Sequence, residues 1–139
     1  MTRYVRDAMT SPAEAVGMQT SVREVASRMR DKGIGAVLVM EGETLRGMVT
    51  DRDIVVRSVA DGEDPGHTPV RAVCSERLTT VSPDDPQGRA VGLMRRHAVR
   101  RLPVLDEGRP VGIVALGDLA VERDPGSALG EISAAEPNT

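Results

Sequence analysis

The sequence predicts a mixed α/β (α+β) fold made of two βαββα repeats that pack about a pseudo-twofold axis. Its 139 residues suit one compact domain or two small halves that share a core. The chain aligns with itself at an ungapped shift of about 65 positions. Helix, strand, turn, strand and helix patterns recur in the same order in both copies. Since one such copy cannot cover both faces of a small sheet, each copy is expected to need the other.

The internal repeat depends on residues that keep both their identity and their spacing. Gly47 aligns with Gly112, and Asp53 aligns with Asp118. Further matched pairs are Val16 and Val81, Met29 and Met94, Val39 and Val104, and Val49 and Val114. The predicted boundaries are 1–62 for the first repeat with its N-terminal segment, 63–69 for a linker, 70–123 for the second repeat and 124–139 for a partly flexible tail.

The first copy shows the signals of a helix, a hairpin and a second helix. Ser21 and Glu24 form a capping box that begins an amphipathic helix, and Gly33 ends it. Strands are predicted at 36–40 and 45–49, joined by a connection of three to five residues. The remaining predicted elements are helices at 50–60, 84–96 and 116–122, strands at 101–105 and 111–114, short opening strands near 15–16 and 80–81, and a weak helical pattern at Leu129 and Ile132.

Composition narrows the classes of function. With 40% hydrophobic residues, one Tyr, no Trp and no Phe, the core must be aliphatic and bases have no aromatic platform. A net charge of −3 argues against a nucleic-acid partner despite the basic cluster at 95–97. One cysteine, Cys74, excludes an intrachain disulfide and a thiolate zinc site, and no metal is expected. Without a long apolar run, a cytoplasmic protein that makes no membrane contact is expected.

A strand motif and a strand-to-helix motif occur in each copy at constant spacing. They are Gly33-Ile34-Gly35-Ala36-Val37-Leu38-Val39 with Gly47-Met48-Val49-Thr50-Asp51-Arg52-Asp53-Ile54, and Val99-Arg100-Arg101-Leu102-Pro103-Val104 with Gly112-Ile113-Val114-Ala115-Leu116-Gly117-Asp118-Leu119. In these motifs the chain resembles the tandem cystathionine-β-synthase (CBS) domain pair, or Bateman module. It is most similar to the small stand-alone bacterial members, including the hypoxic response protein type of actinobacteria.

The resemblance implies a module that binds adenosine-containing ligands in clefts between the two copies and that commonly dimerises. In the first cleft, Thr50 and Asp53 match the family's Gly-x-x-Thr-x-x-Asp pattern and would contact the ribose. Arg100 and Arg101 from the other copy would hold a phosphate. An adenine nucleotide, AMP, ADP or ATP, is therefore the candidate ligand, and no covalent cofactor is expected. The aliphatic residues assigned to the adenine are Val16, Val37 and Met48.

The second cleft is a weaker candidate. It keeps Asp118, but Ala115 stands where the family has Thr or Ser, and Gly35 and Ala36 stand where the first cleft has arginines. We therefore expect it to bind a phosphorylated ligand poorly or not at all.

Each candidate residue also has a plain structural interpretation. Asp53 and Asp118 suit the first turn of a helix, and Thr50 is a common N-cap. Arg100 and Arg101 can simply face solvent. Two classes of function follow. One is a non-enzymatic nucleotide sensor, expected to be a homodimer, that signals to an unknown effector protein by a conformational or dimer rearrangement. The other is a ligand-free structural or protein-interaction module with vestigial clefts. The sequence contains no constellation of residues that predicts an enzyme.

Overall fold

The computed structural model describes residues 3–136, which divide into two compact units. We call residues 13–78 the central unit, and residues 3–12 together with 79–136 the terminal unit. The helices and strands are α1 (Val5–Ala8), β1 (Ala15–Gly17), α2 (Val22–Lys32), β2 (Ala36–Glu41), β3 (Thr44–Thr50), α3 (Asp51–Ile54), α4 (Gln87–His97), β4 (Arg101–Asp106), β5 (Arg109–Ala115), α5 (Leu116–Arg123) and α6 (Ala128–Ala134). The mixed α/β class predicted from the sequence is confirmed.

The central unit contains a three-stranded sheet in the order β1-β2-β3. β1 runs parallel to β2, and β3 runs antiparallel to β2. The hairpin loop between β2 and β3 consists only of Gly42 and Glu43, so it is shorter than the predicted connection. Gly42 allows this tight loop because its φ of 60° lies in the left-handed region, which glycine adopts without steric strain.

Helix α2 begins and ends as predicted. The Ser21 hydroxyl accepts a hydrogen bond from the Glu24 amide at 3.1 Å. Gly33 ends the helix with a left-handed φ of 63°. The buried residues of α2, which pack into the core of the central unit with residues of the sheet, are Val22, Val25 and Met29.

The helix predicted at 50–60 changes character after its first turn. Asp51–Ile54 is α-helical, whereas Val55–Val59 forms a π-helical turn that the Ala60 amide closes on the Val55 carbonyl at 2.9 Å. Valine is frequent in this turn, and its branched side chain crowds the turns of an α-helix. The wider turn buries Ser58 and leaves the preceding residue, Arg57, partly exposed.

The terminal unit contains the antiparallel hairpin of β4 and β5. The opening strand predicted near 80–81 is reduced to one parallel bridge between Val81 and Val104. Helix α4 begins at Gln87, later than the predicted start at 84. Pro86 explains the delay, because a proline disfavours the α conformation of the residue before it.

Each compact unit is completed by a segment that lies beyond its own repeat in the sequence. The terminal unit includes residues 3–12: the Thr10 amide donates to the Ile113 carbonyl at 2.8 Å, and the Ile113 amide donates back at 3.1 Å. In the central unit, Met48 and Ser75 form the corresponding pair of hydrogen bonds at 3.0 and 2.9 Å. The boundaries of the repeated sequence and those of the compact units therefore differ by an exchange of leading segments.

The tail forms a regular helix in its described part. Ser127 begins α6, and its hydroxyl accepts from the Gly130 amide at 3.0 Å. Gly130 packs closely against α5, since a Cβ at this position would lie 3.1 Å from the Ala120 carbonyl oxygen. The weak helical pattern in the sequence is thus an ordered helix that covers part of α5.

Candidate functional site

The residues predicted to contact a ligand fall into two sets, one in each compact unit. Thr50, Asp53 and Met48 lie in the central unit, and Arg100, Arg101 and Asp118 lie in the terminal unit. Each set occupies the place where a hairpin ends and the next helix begins.

Thr50 and Asp53 form a reciprocal capping box at the end of β3. The Thr50 amide donates to Asp53 Oδ2 at 2.9 Å, and the Asp53 amide donates to Thr50 Oγ1 at 3.2 Å. The Asp53 side chain is 17% exposed. Because the cap uses Oδ2, the other carboxylate oxygen, Oδ1, is available to accept a hydrogen bond from a ligand.

The aliphatic residues predicted to enclose adenine do not share a face of the sheet. Val37 pairs with Val49, whereas Met48 pairs with Leu38. Side chains alternate along a strand, so Met48 lies on the face opposite to Val37. Val16 and Val37 are buried in the core of the central unit, and they are not part of a site with Met48. Of the three predicted residues, only Met48 is partly exposed.

The two arginines flank the start of α5 in the terminal unit. Arg101 pairs with Ala115 across the hairpin, and the Arg100 carbonyl accepts from the Leu116 amide at 2.8 Å. Arg100 is exposed and Arg101 is half-buried. Within residues 3–136, neither guanidinium lies within salt-bridge distance of a carboxylate. Both groups can therefore bind an external anion without breaking an ion pair in the described chain.

Asp118 holds the position in the terminal unit that Asp53 holds in the central unit. Its Oδ2 accepts from the Ala115 amide at 2.9 Å, but Ala115 has no hydroxyl that could accept from the Asp118 amide as Thr50 does from the Asp53 amide. Burial raises the pKa of the Asp118 carboxyl, and the hydrogen bond from Ala115 opposes this only in part. The half of the site around Asp118 therefore lacks both the threonine and a favourable environment for negative charge.

Replacing Asp118 with asparagine should raise the free energy of unfolding at pH 8 by about 0.5–1 kcal/mol. Asparagine still accepts from the Ala115 amide but carries no charge to desolvate. The pKa of Asp118 is higher in the folded than in the unfolded state, so the ionised carboxylate lowers the free energy of unfolding. This destabilisation is fully present above the folded-state pKa and disappears as the pH falls below the ordinary aspartate range.

Urea unfolding of both proteins at pH 8 and near pH 4 measures this difference. The exposed Asp106→Asn serves as the matched control and should change stability equally at both pH values. An effect of Asp118→Asn that is the same at the two pH values would contradict the burial argument.

Arg57 is a further residue near Asp53 that the sequence motifs do not identify. Its Nε lies 4.0 Å from Asp53 Oδ1, one helical turn away. The only sequence signal is a basic residue after the Gly-x-x-Thr-x-x-Asp pattern, where the second copy has Glu122.

Cys74 packs against the glycine of the same motif. A Cβ on Gly47 would lie 2.8 Å from the Cys74 sulfur, so the two residues are in close contact. Burial raises the pKa of the Cys74 thiol, which disfavours the reactive thiolate. Cys74 is therefore a packing residue of the central unit.

The two hairpins, each followed directly by a helix, and the strand-to-helix motif repeated at these junctions indicate a CBS domain pair. The family model for the CBS domain matches residues 5–59 and 70–123. The chain belongs to the CBS-domain family and carries two such domains. Proteins with this pair are generally regulatory modules rather than catalysts.

Individual relatives extend this assignment over most of the chain. The CBS domain-containing protein YhcV of Bacillus subtilis is 44% identical over 133 residues, which cover 93% of this chain and 94% of YhcV. Hypoxic response protein 1 of Mycobacterium tuberculosis is 34% identical over 116 residues, with 83% and 81% coverage. A protein with CBS domains from Burkholderia ambifaria has a TM-score of 0.78 at 30% identity and covers 84% of this chain and 86% of its own.

One solved relative, Hypoxic Response Protein I, contains two coordinated zinc ions. It is 34% identical, has a TM-score of 0.77 and is matched over 85% of this chain and 97% of its own. Between residues 3 and 136 of this protein, no three His, Cys, Asp or Glu side chains lie close enough to hold a metal ion. The same residues also include no helix long and apolar enough to cross a membrane.

Proposed function

We propose that this protein is a non-enzymatic regulatory module that binds one adenine nucleotide per chain. The observation that carries the proposal is the Thr50–Asp53 capping box, which fixes an aspartate and leaves its Oδ1 free to accept hydrogen bonds. A carboxylate in this setting suits the two hydroxyls of a ribose. Arg100 and Arg101, which face no carboxylate within residues 3–136, supply the charge that a phosphate requires.

The two copies contribute different residues to the proposed nucleotide site. The threonine and the hydrogen-bonded aspartate belong to the first copy, whereas the arginines belong to the second. The equivalent Asp118 is desolvated and has Ala115 beside it. This difference supports a single nucleotide bound by Thr50, Asp53, Arg100 and Arg101, with Met48 as an apolar contact for the adenine.

Signalling follows if the nucleotide favours one conformation. A ligand can shift a conformational equilibrium only through different affinities for the two states. A nucleotide that needs residues from both repeats can have such a difference, because its affinity depends on their arrangement. We propose that the protein forms a homodimer, that the nucleotide changes the arrangement of the repeats or of the two protomers, and that an unidentified effector protein receives the signal. We also propose that the protein acts in the cytoplasm, where cysteines are kept reduced.

A binding role is favoured over catalysis by the state of the ionisable groups. Asp53 is engaged in a helix cap, and the Cys74 thiol is buried with a raised pKa. Neither group is set up as a nucleophile beside a general base.

The proposal is tested by isothermal titration of the protein with AMP, ADP, ATP and S-adenosylmethionine. We expect micromolar binding, about −8 kcal/mol, of at least one adenine nucleotide at one site per chain. Asp53→Ala should weaken binding at least about tenfold, because it removes the ribose acceptor. The matched control is Asp118→Ala, the same change at the equivalent position of the other repeat, which should leave affinity unchanged.

A second pair of titrations, with AMP and with adenosine, distinguishes the contribution of the phosphate to binding from that of the ribose. Replacing both Arg100 and Arg101 with methionine should weaken AMP but leave adenosine nearly unaffected. Circular dichroism establishes that each variant is folded. Absence of heat from every nucleotide up to millimolar concentration would reject the sensor and favour the ligand-free interaction module, which the incomplete set around Asp118 already supports in one half of the protein.

A further inference from the structure

Arg57 is held in a defined position next to the candidate ribose acceptor. Its Nη1 donates to the main-chain carbonyls of Val73 at 3.2 Å and Cys74 at 3.3 Å. Its Nε lies 4.0 Å from Asp53 Oδ1. The guanidinium is planar, so fixing one nitrogen on two carbonyls also fixes the edge that faces Asp53.

The two carbonyls belong to a segment that is itself fixed. Ser75 and Met48 exchange backbone hydrogen bonds at 2.9 and 3.0 Å, which fasten residues 73–75 to strand β3. β3 ends at Thr50, the partner of Asp53 in the capping box. Hydrogen bonds therefore connect both Arg57 and Asp53 to the same strand, Asp53 directly at Thr50 and Arg57 through residues 73–75.

The second repeat provides an internal comparison. At the position that corresponds to Arg57 it has Glu122, which lies 3.8 Å from Arg3 rather than next to a cation that could serve Asp118. The copy with Thr50 has the basic residue, and the copy with Ala115 has an acidic one. Arg57 is thus present in the copy that has both Thr50 and Asp53, the proposed ribose-binding pair.

The distance between Arg57 and Asp53 determines whether Asp53 Oδ1 can still accept a hydrogen bond from a ligand. A separation of 4.0 Å is too long for a hydrogen bond, so Arg57 attracts Oδ1 without occupying its lone pairs. A hydrogen bond accepted by a carboxylate oxygen is stronger than one between two neutral groups. Oδ1 therefore stays available as a strong acceptor for a ligand.

We propose that Arg57 is a positioning residue that holds the Asp53 carboxylate ready to accept hydrogen bonds from the vicinal hydroxyls of a ribose. This inference rests on the proposed function and deepens it, since it names the Asp53–Arg57 pair as the source of selectivity for ribose over 2′-deoxyribose. Arg57 is 47% exposed, so direct contact with a phosphate is the competing role that an experiment must separate.

The test compares AMP, 2′-deoxy-AMP and adenosine by isothermal titration on four proteins. These are the wild type, Arg57→Met, Arg57→Lys and the control Arg52→Met, which removes an exposed arginine from the same helical segment. We expect the wild type to bind AMP at least about tenfold more tightly than 2′-deoxy-AMP. Arg57→Met should reduce this ratio to about twofold or less and should weaken AMP and adenosine by the same factor.

The controls separate positioning from general damage to the fold. Arg52→Met should keep the wild-type ratio, and Arg57→Lys, which retains the charge, should give an intermediate ratio. Lower thermal stability alone would weaken all three ligands equally and leave the ratio between ribose and deoxyribose unchanged. If Arg57→Met does not fold, the intermediate ratio of Arg57→Lys carries the test.

Three results would overturn the inference. An unchanged ratio in Arg57→Met would show that Arg57 does not act through Asp53. Loss of AMP affinity with no loss for adenosine would assign Arg57 to the phosphate instead. Failure of the wild type to bind any of the three ligands would reject the proposed function and this inference with it, a result that differs from the first two because it appears before any substitution.

Discussion

Leu102→Ala should lower the free energy of unfolding by about 3 kcal/mol. Leu102 is fully buried on β4 and packs in the core of the terminal unit, whose other members include Val5, Val104, Val114 and Leu119. The substitution removes the γ-carbon and its two methyl groups from a core that has no large aromatic side chain to move into the space. Both the lost burial and the remaining cavity therefore destabilise the unit.

Urea unfolding followed by circular dichroism measures this effect. Leu129→Ala provides the matched control, because Leu129 is 44% exposed on α6 and its truncation should change stability by less than about 0.5 kcal/mol. A loss below about 1 kcal/mol for Leu102→Ala would contradict a well-packed core around β4.

Gly112→Ala should also destabilise the protein, by about 2–3 kcal/mol. A Cβ at this position would lie 2.6 Å from the Thr10 carbonyl oxygen and 3.1 Å from the Met9 sulfur. The Thr10 backbone is hydrogen-bonded to Ile113 in both directions, so it cannot withdraw without losing those bonds. We expect residues 3–12 to detach from β5 more often, with faster proteolysis of this segment.

Gly92→Ala is the matched control for this prediction. Within residues 3–136, no atom beyond its chain neighbours and the adjacent backbone of α4 lies within 4 Å of the Cβ that it would add, and Gly92 is in the middle of that helix. Alanine favours a helix over glycine by about 0.5–1 kcal/mol, so the same substitution should stabilise the protein there. Thermal unfolding and limited proteolysis of both variants measure these effects. Equal melting temperatures and equal proteolysis rates for Gly112→Ala and Gly92→Ala would contradict the close contact with Thr10.

Local signals in the sequence predict the helices and the hairpin strands well because their causes are local. Ser21 and Gly33 delimit α2 through hydrogen bonding and backbone conformation that depend on neighbouring residues only. The Thr50–Asp53 capping box is local too, because it requires only a threonine and an aspartate three residues apart at the start of a helix. The exchange of leading segments, in contrast, depends on long-range packing, to which residues 1–12 give no local signal.

The position of Val37 shows where sequence reasoning fails within the candidate site. A hairpin with a two-residue loop and regular pairing would place Val37 opposite Met48, on one face. The register shifts between Val39 and Met40, and this irregularity pairs Val37 with Val49 instead. A shift of one residue exchanges the faces of all later side chains. Gly47, which pairs with Val39 next to the shift, is a local signal of such a bulge, but it does not specify the register by itself.

Arg57 was missed for a different reason. Its contacts with the Val73 and Cys74 carbonyls join residues that are distant in the sequence, and its position relative to Asp53 depends on the helical turn between them. A basic residue on an exposed helical turn is common, so the pattern alone does not distinguish a residue with a role from one that faces solvent.

The exchange of leading segments determines the order in which the protein can assemble during synthesis. The central unit is continuous, so it can fold as soon as residues 13–78 leave the ribosome. Residues 3–12 must wait for β5, and closing the intervening loop of about 65 residues carries an entropic cost. Residues 3–12 therefore precede the central unit in the chain but cannot take their place until β5 has followed it.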